Sequence, residues 1–174
     1  METPDTHGVR RATPDDAWEL VRLRGIMLED TDGIPTEPGP WQETSVKILR
    51  NRLSRPEPTM AAFVIDRPGE PGVLAACAVG TIEERLGGPR NPSGRAGYVF
   101  NVCTEAPFRR RGYSRACLLS LLSWYRVSGV ERIDLRASDD GAPLYRSLGF
   151  IDTLNMRLRL SHPTRRPPDP QPLT

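Results

Sequence analysis

Apolar positions change their spacing several times along the chain, and each change predicts an element. Leu20, Leu23 and Met27, with Trp18 nearby, recur at helical spacing. They follow Thr13-Pro14-Asp15-Asp16, where a Thr cap, a proline in the first turn and an early carboxylate mark a helix start. A short strand is expected over Gly8–Ala12 and the helix runs to about Leu28. Residues 29–40 are rich in Gly, Pro and acid and predict a loop. A second helix is expected from about Trp41 to Leu53, stopped by Pro56 and Pro58. Met60–Ile65 and Val73–Ile82 are apolar runs of strand type, divided by a turn at 66–72. After a loop at Leu86–Gly94, Gly97–Thr104 alternates, with Tyr98, Phe100 and Val102 expected on one face and Val99, Asn101 and Cys103 on the other. Leu118, Leu119, Leu122 and Tyr125 then place a helix over Arg115–Arg126. Ile133–Ala137 reads as a buried strand, Gly141–Leu148 as a short helix ended by Gly149, and Thr153–Leu160 as a last strand. This order, β-α-α-β-β-β-α-β-α-β, describes a mixed α/β (α+β) domain.

The 174 residues suffice for one domain with a real core. The proline-rich, polar ends predict disordered tails at 1–7 and 161–174 around a body of residues 8–160. No run approaches the ~20 apolar residues of a membrane span. The acidic start, Met1-Glu2-Thr3-Pro4-Asp5, is unlike a secretory signal. The histidines are two, His7 and His162, both near the ends, so the body has none for a Ser-His-Asp or Cys-His site. Cys77, Cys103 and Cys117 lack metal-ligand spacing and a disulfide pattern, so no metal is expected and a reducing, cytoplasmic location is. A net charge of +2 is too mild to indicate nucleic acid as a partner.

Chemistry concentrates in Tyr98–Leu119. Here a strand ends, a basic turn follows and a helix begins, and four arginines stand at 109, 110, 111 and 115. The first amides of a helix have no partner within it, and the helix dipole adds positive charge there. Gly112 permits close backbone approach, and arginine grips phosphate in bidentate fashion. The turn is therefore a candidate pyrophosphate site. Its spacing matches neither a P-loop nor a Rossmann fingerprint.

Arg109-Arg110-Arg111-Gly112-Tyr113-Ser114 resembles the Gln/Arg-x-x-Gly-x-Gly/Ala motif of the Gcn5-related N-acetyltransferases (GNAT), with Ser114 in place of Gly or Ala. Downstream, Ala142-Pro143-Leu144-Tyr145-Arg146-Ser147-Leu148-Gly149-Phe150 resembles a second segment of the family. The resemblance implies one domain with a mixed sheet of about six to seven strands flanked by helices and splayed at an acetyl-CoA cleft. It implies that acetyl-CoA (coenzyme A) is the cofactor. The backbone of Arg110–Arg115 would hold the pyrophosphate, helped by Arg109, and Asn101, Val102, Cys103 and Thr104 would run beside the pantetheine arm. Asp139 stands where the family often has Asn. Tyr145 matches the tyrosine that protonates the leaving thiolate.

The acceptor implied is a primary amine on a small molecule or a protein. Glu29, Asp30 and Asp32 are expected on an acidic loop facing it, with Glu83 and Glu84 as further candidates at the cleft mouth. Glu105 reads as a surface carboxylate. Cys103, without a histidine to activate it, reads as a small buried residue. The competing reading is a catalytically silent CoA-binding sensor of the same fold. A homodimer stays open.

Overall fold

The computed structural model describes residues 8–158. Both expected tails lie outside the described residues. Among the described residues five strands form one sheet in the order β1-β2-β3-β4-β5: β1 (Arg10–Arg11), β2 (Met60–Arg67), β3 (Glu70–Glu84), β4 (Arg95–Thr104) and β5 (Arg132–Leu135). All neighbours are antiparallel except β4 and β5, which are parallel. Parallel neighbours need a crossover, and the helix α3 (Tyr113–Val127) provides it. The other helices are α1 (Ala17–Asp32), α2 (Pro40–Leu53) and the short α4 (Ala142–Ser147).

The sheet has fewer strands than expected because Thr153–Leu158 forms none; the last two positions of that expected strand lie outside the described residues. Leu154, Met156 and Leu158 alternate as strand residues do, but the segment is exposed and has no ladder partner. Alternation proposes a strand, and only a neighbouring backbone completes one. A second correction concerns α1. It continues through Glu29, Asp30 and Asp32, which therefore lie on a helix and not on a loop, and it stops at Gly33 with φ +61°. The β2–β3 turn is tighter than its composition suggests: Arg67 pairs with Glu70 across Pro68-Gly69 alone.

Each face of the sheet has its own core. Leu20 and Leu23 of α1, Val46 and Leu49 of α2, and Val64, Cys77 and Val79 of the strands fill one face. Leu118, Leu121, Leu122 and Tyr125 of α3 fill the other with Ile65, Ala76 and Ala78. This two-sided burial explains the near-continuous apolar runs of β2 and β3.

β4 departs from simple alternation. Val79 pairs with Asn101 and the next residue, Gly80, pairs with Val99, so Phe100 is one residue too many. Such a bulge shifts the facing of everything beyond it. Val99 accordingly packs with the α3 face, while Cys103 packs with the α1–α2 face. The expected grouping of Val99 with Asn101 and Cys103 is thereby corrected. Tyr125 braces the strands beside the bulge. Its hydroxyl lies 3.1 Å from the carbonyl of Thr81 and 3.0 Å from that of Tyr98. A Cβ on Gly80 would stand 2.0 Å from that hydroxyl, and one on Gly97 2.7 Å from the ring. Both glycines are there for space.

The far end of β4 is held by charge. Glu105, expected at the surface, is buried. It accepts hydrogen bonds from Arg67 at 2.8 and 2.7 Å and from Arg22. Arg22 also donates to Glu19 at 2.7 Å and to the carbonyl of Leu74 at 2.7 Å, so the network joins α1, β2, β3 and the end of β4. With both oxygens engaged, Glu105 is a structural group, not a base. Arg67 and Arg22 hold its carboxyl below the ordinary value of 4.5. A depressed carboxyl stabilises the fold above its unfolded pKa, and that contribution disappears as pH falls through the folded value. We expect Glu105→Gln to lower the melting temperature at pH 7 by roughly 5 °C and to weaken the destabilisation of the wild type below about pH 4. Thermal melts from pH 7 to 3 check this; identical curves would mean that the network holds nothing.

Candidate functional site

β4 and β5 share only four residue pairs, from Ala96 with Arg132 to Val99 with Leu135. The bulge follows at once. From Asn101 to Thr104 the strand is paired on the β3 side, but among the described residues no strand lies on the other. The sheet therefore opens here, and the backbone of Asn101, Val102, Cys103 and Thr104 forms an edge along the opening. The Asn101 side chain turns away from this edge toward Cys77, whose Sγ is 3.6 Å from its Nδ2.

The strand leads into the basic turn. Ala106–Phe108 makes one 3-10 turn, Arg110 has φ +63° and Gly112 has φ +81°. A left-handed arginine is uncommon and costs energy that glycine does not. Gly112 occupies the cap of α3, and the helix's first backbone bond is made by Ala116 to Gly112. The amides of Ser114 and Arg115 thus have no acceptor within the helix. The Ser114 hydroxyl lies 2.7 Å from that of Thr104, tying the helix start to the end of β4. No sequence signal marked this bond.

The four arginines do not act alike. Arg109 donates to the carbonyl of Thr104 at 2.9 Å and is paired with Asp30. Arg111 lies over the ring of Phe108, 5.5 Å from its centre, and Phe108 stacks on Tyr113. Arg115 reaches Ser147 of α4 at 2.8 Å. Arg110 is exposed.

The acidic candidates separate. Asp30 holds Arg109, beyond the end of β4, and Asp32 holds Arg136, beyond the end of β5, at 3.2 Å. One turn of α1 therefore spans the opening. Two aspartates at a helix C-terminus are unfavourable against the dipole, and the two arginines offset this. Glu29 instead accepts from the amide of Thr36 at 3.2 Å. Glu83 and Glu84 are corrections: they pair with Ala96 and Arg95 at the opposite end of β4, and Glu83 is bound by Arg85 at 2.7 Å. Asn101 lies five positions beyond Ala96, about 16 Å along the strand. Asp139 is exposed and makes no hydrogen bond among the described residues; in the turn before α4 the Ser138 hydroxyl accepts from the amide of Gly141 at 3.2 Å.

Tyr145 packs edge-on to Phe150, with ring centres 6.0 Å apart, and lies against Gly141, where a Cβ would come within 3.0 Å. Burial pushes its phenol above the ordinary tyrosine value. The three thiols are free and buried; burial raises Cys103 to about 11 and Cys117 to about 12. They stay protonated at neutral pH and are poor nucleophiles. Among the described residues no group of three His, Cys, Asp or Glu is placed to hold a metal, and no helix is long and apolar enough to cross a membrane.

An opened sheet edge here meets a helix start through a turn with left-handed Arg110 and Gly112. The family model for the acetyltransferase (GNAT) family matches residues 27–150. The chain belongs to the GNAT family. No curated protein matches the sequence. Among solved structures, a predicted acetyltransferase from Clostridium acetobutylicum, crystallised with acetyl-CoA, is 26% identical over 88% of this chain and 94% of its own, with a TM-score of 0.74. A GCN5-related N-acetyltransferase from Ralstonia eutropha is 21% identical over 87% and 97%, with a TM-score of 0.73. Glucosamine-6-phosphate N-acetyltransferase from Arabidopsis thaliana shares the fold at 17% identity over 87% and 96%, with a TM-score of 0.69.

Within this GNAT domain the burial of Tyr145 has a measurable consequence. Of the four tyrosines, Tyr145 and Tyr125 are raised above the ordinary value of 10.0 by burial. Spectrophotometric titration should show a late step above pH 10, part of which Tyr145→Phe removes. Loss of an early step instead would contradict the buried phenol.

Proposed function

We propose that this protein transfers the acetyl group of acetyl-CoA to a primary amine, on a small molecule or a protein, by direct attack within a ternary complex. The observation that carries the reading is the free edge of β4 at Asn101–Thr104 running into the turn at Arg110–Gly112 and the start of α3. A long flexible arm ending in a pyrophosphate fits that pair of features. Main-chain groups of an open strand can hold the arm, and helix amides can hold the phosphates. Arg109, Arg110, the amides of Ser114 and Arg115, and the strand from Asn101 to Thr104 would hold the cofactor, whereas Arg115's own side chain is engaged with Ser147. When bound, acetyl-CoA supplies an acetyl group already activated as a thioester. The chain's own part is then modest. The amides near Val102 and Cys103 offer dipoles to the carbonyl oxygen. Tyr145, kept protonated by burial, holds a proton on its phenol oxygen for the departing sulfur. Its hydroxyl makes no hydrogen bond within the described residues, so that proton is not committed elsewhere. The buried, unpaired thiols suit a reducing cytoplasm.

Tyr145→Phe should reduce the turnover number by about 10- to 100-fold and leave CoA affinity nearly unchanged. Thiol-release kinetics and calorimetry separate these; an unaltered rate removes the acid role. CoA binding without thiol release from any amine would support the sensor reading instead. The phosphates must also compete with Asp30 for Arg109. Asp30→Asn frees that guanidinium and should tighten CoA binding by about threefold, a modest gain because the pair is exposed. Weaker binding would mean that Asp30 orients Arg109 and does not compete for it.

A further inference from the structure

A pocket of about 640 Å³ lies between one side of α1 and the start of α2. Two indoles, Trp18 and Trp41, line it with Pro38. Trp18 is 51% exposed, whereas Trp41 is half-buried and packs on the α1–α2 core. Leaving that much indole in water is unfavourable unless something covers it. Neither indole N–H donates to another described residue, so two donors are unused. The rim is preformed. The Thr36 amide donates to Glu29 at 3.2 Å, the Gly39 amide donates to the side chain of Gln42 at 2.7 Å, and Gln42 donates to the carbonyl of Glu37 at 3.0 Å. A groove fixed in this way loses little freedom when it is filled.

The available charge in the pocket has one sign. Glu29 and Glu43 are both on its wall and both exposed. One oxygen of Glu29 serves Thr36, and the other accepts nothing among the described residues; nor does Glu43. Arg22, the one cation among the described lining residues, is already saturated by Glu19, Glu105 and the carbonyl of Leu74. A fitting occupant carries positive charge, an apolar body that lies flat on indole, and carbonyl groups free to accept the indole N–H groups.

The chain itself contains such a segment beyond its described residues. Thr164–Pro172 reads Thr-Arg-Arg-Pro-Pro-Asp-Pro-Gln-Pro. This composition favours polyproline II, which makes no internal hydrogen bonds and leaves its carbonyls free to accept. Proline rings laid on aromatic walls are how grooves recognise that helix. With three residues per turn, Pro167 and Pro170 share one face and Asp169 falls on another. Arg165 and Arg166 precede them, two cations for the two exposed carboxylates. The length also suffices. Residues 159–174 extend to roughly 50 Å at about 3.1 Å per residue, against a diameter of roughly 40 Å for a domain of this size. A line of contacts joins the two places: Arg115 holds Ser147 of α4, and Arg109, just ahead of α3, holds Asp30, the neighbour of Glu29. We infer that this pocket is the docking site of the chain's own arginine-proline segment, Thr164–Pro172. The inference does not depend on acetyl transfer.

The test uses the full chain labelled with 5-fluorotryptophan. Fluorine NMR then reads Trp18, Trp41 and Trp124 separately, each assigned by its Phe variant, and Trp124, on α3, is the reference outside the pocket. Arg165→Glu combined with Arg166→Glu should release the segment, moving the Trp18 and Trp41 signals and leaving Trp124 in place. A synthetic peptide of residues 161–174, added to that double variant, should restore both signals saturably and bind more weakly as salt is raised. The same peptide with Pro167→Ala, Pro168→Ala and Pro170→Ala should bind at least about tenfold more weakly, as should the native peptide when Trp18→Ala is added to the double variant, a change at an exposed site that leaves the core intact. Unmoved Trp18 and Trp41 signals in the double variant, a Trp124 signal that moves equally, or an alanine peptide bound as tightly as the native one overturns the inference. Signals that change with protein concentration would seat the segment of a second copy in the pocket and equally overturn docking within one chain.

Discussion

The opening of the sheet depends on one surplus residue in β4. Phe100 has no partner on β3, so the strand rotates by one position between Val99 and Asn101. Before it, side chains of β4 serve the α3 core and the backbone pairs with β5. After it, Cys103 serves the α1–α2 core and the β5 side of the backbone is left open. A bulge leaves its extra residue unpaired and locally disrupts the ladder, so neighbouring contacts must hold the strand in place. Here Tyr125 does so, wedged where Gly80 and Gly97 leave room, with its hydroxyl shared between two carbonyls. The proposed cofactor edge therefore rests on a tyrosine and two glycines that never touch it.

A second constraint is electrostatic. Arginine is abundant, yet in the structure most of the functional-looking arginines are spoken for by particular partners. Arg22 and Arg67 neutralise the buried Glu105 and fasten the end of β4 to α1 and β2. Arg109 and Arg136 bind successive carboxylates on the last turn of α1. That turn consequently lies across the two strand ends that the bulge has separated. The end of α1 and the loop proposed to hold phosphate are thus linked through Asp30.

Much was legible in the linear pattern. The helix and strand segments, the strand–basic turn–helix around Gly112 and the segment around Tyr145 are local, and local rules describe them: apolar period, capping residues, and glycine where φ is positive. The four-arginine cluster was visible as a cluster, but the pairing of Arg109 with Asp30 and of Arg115 with Ser147 was not, because those partners lie 79 and 32 positions away. The same distance hid Glu105. Nothing beside it in the chain reveals that Arg22 and Arg67 converge on it. Glu83 and Glu84 looked suitable because they follow an apolar strand; strand direction put them at the wrong end.

The sequence by itself determined most of the element types, the family and the location of the basic turn proposed to hold phosphate, since each rests on local pattern. The tertiary structure alone decided which strand lacks a neighbour among the described residues, which carboxylates are already neutralised, and that Trp18 and Trp41 share one pocket. Those facts depend on register and on pairs remote in sequence. A single inserted residue in β4 reverses a face without changing the alternation that a reader of the chain would count.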